Sequence, residues 1–409
     1  MSRRAFLRAA LALPLLAAAG CNRVSLEQGL FNECRLSLDP AVAPLVEAAW
    51  TGLRPDRVWD VHTHVYGNGR GGLGIWVGPA LDRPKMPGAK VRRAFFMDGG
   101  CVGEDDTGLD RRMMTRLAHV VGQLPPGARV MLLAFDATYG TDRKKQDDRT
   151  GFIVPNEYAR KLAATNPERF EWIASVHPYR ADAIEELERC KQGGARAVKW
   201  LPPAMGIDPS SKLCVPFFDA MQRLDIPLLS HAGEEQAVPG AEDHPAANPL
   251  HLRHPLERGV RVIAAHCATL GESADLDKGG KASAPNFELF SRLMAERRYE
   301  KLLYGDLSAI TQANRLEWLG PLLAKREWAG RLLNGSDYPL PGILPLFSLD
   351  RMVGDAFIDK AIVPPLRSLR ESNALLFDFV LKRNMRVGGN RLPDSAFETR
   401  EFFTRSPNV

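Results

Sequence analysis

Eight short apolar runs recur along the chain, near residues 57–64, 128–136, 171–177, 195–200, 226–231, 261–266, 302–307 and 331–336. Their length and their valine, isoleucine and leucine content suit buried strands. Between them lie stretches such as LDRRMMTRLAHVVGQL, DAIEELERCKQGG and FELFSRLMAERR, with apolar residues three and four apart, as in amphipathic helices. Gly193-Gly194 and Gly259 stand where left-handed helix caps belong. Eight strands alternating with helices predict an α/β chain folded as a single (β/α)8 barrel over residues 57–387. Residues 21–56 form a preamble, and the Arg-, Pro- and Ser-rich tail over 388–409 reads as a surface extension. The connection from Val65 to about Leu109 is long for a barrel and is expected to lie over the pocket as a lid.

A barrel places its reacting groups at the carboxyl ends of its strands. Those ends read DVHTH, LLAFD, IASVHPYR, ARAVKW, PLLSHAGEE, VIAAHC, LLYGDLSA and LLNGSDYP, each closing on a polar or ionisable residue. One such histidine is usually a satisfied core or loop residue, but eight endings in register are not explained that way. Side chains two apart on a strand share a face, so His62 and His64 point together. With His231, His266 and Asp337 they are expected to converge on the barrel axis. Neutral imidazoles and a carboxylate suit zinc, which lowers the pKa of bound water to about 7.

The remaining strand-end groups support both functional and structural readings. His177 and Arg180 are candidates for substrate contact, Arg180 by pairing with an anion, or else they belong to a turn fixed by Pro178. Glu234, Asp136 and Asp306 could orient a ligand histidine or reach substrate. Trp200, Trp76 and Tyr338 could line the pocket or fill the core. GNGRGG, residues 67–72, fits a dinucleotide fingerprint, but the prolines and glycines that follow prevent a helix from opening there. It is read as a loop.

The ordered set DVHTH, SHAG, AHC and GSDYP resembles the amidohydrolase superfamily, specifically its amidohydrolase-2 branch, over about residues 57–350. That resemblance implies that His62, His64, His231 and Asp337 bind a divalent metal, most often zinc. It places His266 beside the metal-bound water or on a second ion, and gives Asp337 a proton-shuttle role. The expected reaction is attack of metal-bound hydroxide on a lactone, amide or ester of a small, carboxylated molecule. Non-oxidative decarboxylation or hydration of an unsaturated or aromatic acid is the alternative. Lys199 ends the fourth strand, where binuclear relatives carry a carbamate bridging two metals. It could instead hold a substrate carboxylate, or pair with Asp306 or Glu234. The branch also implies a homodimer.

The segment MSRRAFLRAALALPLLAAAGC has a basic start, a short apolar stretch and small residues before Cys21, as in an export signal over residues 1–20. Its Arg3-Arg4 pair resembles a twin-arginine signal, and its ending resembles a lipoprotein cleavage box with Cys21 lipidated. Ala17-Ala18-Ala19 suits an ordinary signal peptidase equally. The expected location is the periplasm, free or anchored only through Cys21. Several of the chain's cationic residues fall in that segment, so the net charge of +5 implies no nucleic-acid partner. Cys34, Cys101, Cys190, Cys214 and Cys267 are scattered without a CxxC pair. An exported chain could bridge some of them, although spacing assigns no pairing, and Cys267 reads as a buried thiol.

Overall fold

The computed structural model describes residues 25–404 except 79–80, 82–86, 104–105, 237 and 239–244. The expected signal, Cys21 included, lies outside them. Eight parallel strands follow one another around a ring: β1 Trp59–His64, β2 Arg129–Leu133, β3 Phe170–Ile173, β4 Val198–Trp200, β5 Leu228–Ser230, β6 Val262–Ala264, β7 Leu303–Asp306 and β8 Leu332–Leu333. β1–β3 form one sheet and β4–β8 another. Backbone hydrogen bonds bridge both seams. Ala174 N–H donates to Ala197 at 2.9 Å between β3 and β4, and Val61 N–H donates to Asn334 at 3.1 Å between β8 and β1. The fold is a TIM barrel.

Strand periodicity decides which side chains see the axis. Met131 and Leu133 join Trp59, Ile173, Leu229 and Ile263 inside the barrel, while Val130 and Leu132 face the surrounding helices. On β4 the same alternation turns Lys199 inward and sends Trp200 outward, onto Phe217 and Phe218 of the helix Val215–Arg223. β1 departs from strict alternation: its register shifts between Asp60 and Thr63. The shift lets Val61 fill the interior while His62, one residue on, turns toward the mouth.

The tail corrects the expectation of a surface extension. Phe402 and Phe403 pack into the barrel interior with Trp59 and Val61, and Asn334 N–H donates to Ala396 at 2.7 Å. Aromatic residues spaced among polar ones hid this role, because Phe397, Phe402 and Phe403 have no helical or strand period of their own. The connection after β1 carries the helix Pro87–Gly99 and a two-residue strand, Trp76–Val77, paired with Phe152–Ile153. GNGRGG is a loop, as expected, closed onto Asp110 through Asn68 N–H at 2.7 Å. A disulfide joins Cys34 to Cys101, and Cys190, Cys214 and Cys267 are buried thiols. No helix among the described residues is long and apolar enough to cross a membrane.

Candidate active site

At the carboxyl end of the barrel, His62, His64 and Asp337 offer ligand atoms within 4.8 Å of one another. Asp337 Oδ1 lies 3.0 Å from His64 Nε2 and 3.5 Å from His62 Nε2. His266 Nδ1 is 4.0 Å from Asp337 Oδ2, and Lys199 Nζ is 3.1 Å from His62 Nε2. The backbone delivers these groups under strain. Asp337 has φ +61°, and His266, Cys267 and Ala268 are left-handed in succession at +56°, +48° and +52°. Such conformations cost free energy and persist where the surroundings enforce them. Here Asp337 N–H donates to His62 C=O at 2.8 Å. Gly335 is required beside it, since a Cβ there would lie 2.6 Å from the His62 Cβ.

A layer of buried acceptors orients the imidazoles. Asp306 Oδ2 sits 2.6 Å from His62 Nδ1, which leaves Nε2 facing the cluster. The Ser308 hydroxyl donates to Asp306 Oδ2 at 2.6 Å and lies 2.8 Å from His266 Nδ1. Asp60 Oδ1 accepts from the N–H groups of His62 at 3.0 Å and Ser336 at 2.9 Å, tying β1 to the turn that carries Asp337. Burial pushes the Asp60 carboxyl up to about 6.

Burial also holds His62 and His266 below the usual imidazole range, the neutral form a metal needs. Burial alone would raise Asp337, but His62, His266 and His64 beside it hold it well below the carboxylate range. Lys199 is pushed down to about 8 by burial, against the pull of Asp306 and Asp337. Imidazole nitrogens and a carboxylate gathered at one point are a donor set that fits a divalent metal.

His231 stands next to this cluster with its ring 5.2 Å from that of His266. Its Nε2 approaches Gly233 C=O at 3.1 Å and its Nδ1 approaches Glu235 Oε2 at 3.4 Å. Glu235, rather than the expected Glu234, lines the pocket. Glu234 accepts from Gln236 Nε2 at 2.8 Å.

Four other substrate candidates stand elsewhere. Arg180 pairs with Asp136 at 3.1 Å and Asp182 at 2.9 Å. His177 spends both ring nitrogens on backbone, near Met205 C=O at 3.0 Å and accepting from Tyr179 N–H at 3.1 Å. Trp200 is outside the barrel, donating to Val176 C=O at 2.9 Å. Asp306 is fully buried behind His62 and so has no open face toward a substrate. Trp76 and Tyr338 also lie outside the pocket wall.

The pocket above the cluster encloses about 280 Å³ and is mostly apolar. Phe95, Phe96, Phe135, Leu340 and Ile343 form much of its wall, and Arg315, Gln312 and Asn314 add a polar edge. No sequence pattern signals that edge, since Gln312 and Arg315 fall in an aperiodic loop after GDLSA. Asp60 and Ser308 could have been suspected from their places two residues from His62 and Asp306.

The amidohydrolase family model, Amidohydro_2, matches residues 59–342, a span that begins at β1 and ends beyond Asp337. The chain belongs to this amidohydrolase family. It is an enzyme of a family whose members bind a divalent metal and act on small molecules. A comparison with curated proteins finds no match. Among solved structures, the chain is similar to an uncharacterised TIM-barrel protein from Bordetella bronchiseptica (15% identity, TM-score 0.47, covering 72% of this chain and 94% of that one). It is also similar to a probable 2-pyrone-4,6-dicarboxylic acid hydrolase from Acinetobacter baumannii (14% identity, TM-score 0.46, 77% and 95% covered). A third is a 5-carboxyvanillate decarboxylase from Novosphingobium aromaticivorans with bound manganese (11% identity, TM-score 0.42, 86% and 96% covered).

Proposed function

We propose that this amidohydrolase-family enzyme is a metal-dependent hydrolase of a lactone, amide or ester in a small molecule. The observation that carries the reading is the convergence of His62, His64 and Asp337, with His266 and Lys199 beside them, on the floor of one pocket. His62, His64 and Asp337 would hold the ion, and His231 joins them if its ring turns from Gly233 and Glu235. Zinc suits this imidazole-rich set best. When bound, the ion supplies Lewis acidity toward water and toward the substrate oxygen.

The chain's own residues supply the rest. Asp337, ionised and central to the cluster, accepts the proton of the attacking water and returns it to the leaving group. His266, its Nδ1–H directed at Ser308, offers Nε2 as an acceptor toward the water. Asp306 and Ser308 fix the imidazoles, and the apolar wall keeps bulk water from the reacting bond. Export is part of the same proposal. The Cys34–Cys101 disulfide supports it, because such bridges persist in oxidising compartments.

Elemental analysis of mature protein purified without chelator, followed by a lactone, ester and carboxylate screen, tests the reading. One zinc per chain with ring or ester opening is the expected result. Two ions, lost together with one another's occupancy in Lys199→Ala, would assign that lysine to a bridging carbamate. Carbon dioxide release would move the enzyme to the lyases. A chain that takes up neither zinc nor manganese would overturn the proposal.

A further inference from the structure

One edge of the pocket is used neither by the metal cluster nor by proton transfer. Arg315 and Gln312 line the cavity from the loop after β7, and each is only 6% exposed. Arg315 Nε and Gln312 Nε2 are buried N–H donors with no hydrogen-bond partner. Among the described residues the Arg315 side chain makes one hydrogen bond, from Nη1 to Thr269 Oγ1 at 3.3 Å. Among the described residues it forms no ion pair, although Asp337, Glu235, Glu234 and Asp306 all act on it electrostatically from farther away. A buried guanidinium left in that condition costs free energy that a planar oxyanion would recover, since its fork matches a carboxylate. Arg180, the cation expected to take an anion, is already held by Asp136 and Asp182. Much of the remaining lining is apolar and aromatic, with Ile75, Phe95, Phe96, Phe135, Leu340 and Ile343.

We propose that Arg315, assisted by Gln312, binds a carboxylate of the substrate while the aromatic wall takes its hydrocarbon or aryl body. The substrate class is therefore an amphiphilic acid, with one anionic group at the Arg315 edge and a bulky apolar remainder. This rests on the proposed hydrolase site only in placing the reacting bond at the His62–His64–Asp337 cluster.

The test is calorimetric titration of the full chain with octanoate and with 1-octanol, in metal-loaded and metal-free forms. Octanoate is expected to bind at least about tenfold more tightly than octanol in both forms. Arg315→Met should weaken octanoate by about ten- to a hundredfold and leave octanol within about twofold, while Gln312→Leu costs octanoate a few-fold. Metal content should be unchanged in both variants. Arg315→Lys, which keeps the charge but not the planar fork, replaces the methionine variant if that one does not fold, and it should still lose about tenfold. Equal binding of octanol and octanoate by the unmodified chain overturns the proposal, as does a preference that vanishes with the metal and ignores Arg315. An Arg315-dependent preference in a chain that never takes up metal would uphold this inference and defeat the hydrolase reading.

Discussion

The two ends of the barrel treat charge in opposite ways. At the amino end three arginines are each matched by a carboxylate. Arg129 pairs with Glu171, Arg196 bonds the same carboxylate at 2.8 Å, and both guanidiniums lie over Trp59 at 5.4 and 5.3 Å. Arg261 pairs with Asp225 at 2.9 Å and stacks 4.7 Å above Phe402. At the carboxyl end Arg315 has no ion pair among the described residues, Lys199 is buried against an imidazole, and Asp337 and His266 sit at positive φ. The same eight strands build both ends. The reacting end thus gathers strained site residues and a cation without an ion pair around one pocket, where they can act on what binds.

The contrast is most easily broken at Asp337. Asp337→Asn should cut turnover by about 10² to 10⁴ while leaving the melting temperature close to that of the parent, as removal of a proton carrier does. A variant that unfolds instead would make Asp337 a structural residue.

His177 sharpens the comparison because it lies at the reacting end yet is fully satisfied. Burial pushes it down to about 4, against about 6.5 unfolded. Its contribution is complete above pH 6.5 and is lost as pH falls toward 4, on the order of 3 kcal/mol. Urea melts at several pH values should show that loss, and His177→Gln should flatten it. At the amino end, Glu171→Ala strands two partly exposed arginines and should cost about 2 kcal/mol, discounted for their exposure. Its metal content should not change. Smallest is Asp306→Asn, which loosens the hold on His62 and should weaken metal binding by about tenfold, read by chelator competition.

Much of this was legible in the sequence. Polar strand ends such as DVHTH and GSDYP mark where ionisable groups gather in a barrel, so the meeting of His62, His64, His266 and Asp337 could be expected from the sequence, although the bulge in β1 and the left-handed turns that aim them could not. Trp200 was not, because an alternation of inside and outside must be counted from Lys199 to see that it faces Phe217. Arg180 could not be placed either. Its partners, Asp136 from the neighbouring strand end and Asp182 two residues on, become apparent only when the ends are brought together. Arg315 had no local signal, since what distinguishes it is a missing partner rather than a pattern. The tail misled for the reverse reason: its polar composition outweighed the few phenylalanines that matter.

The disulfide reaches further than its two cysteines. Cys101 closes the helix Pro87–Gly99, which supplies Phe95 and Phe96 to the pocket wall, and Cys34 belongs to the segment ahead of β1. Asn32 reinforces the same attachment, with its N–H on Asp98 at 2.8 Å and its amide on Gly342 C=O at 3.0 Å. The preamble is thus a frame for the aromatic wall, fastened outside the span that defines the family. A chain trimmed to residues 59–342 would keep the His62–His64–Asp337 cluster and lose the brace that shapes the space above it. The wall above the cluster is therefore held in part from outside the family span, by a bond that exists only while the thiol pair is oxidised.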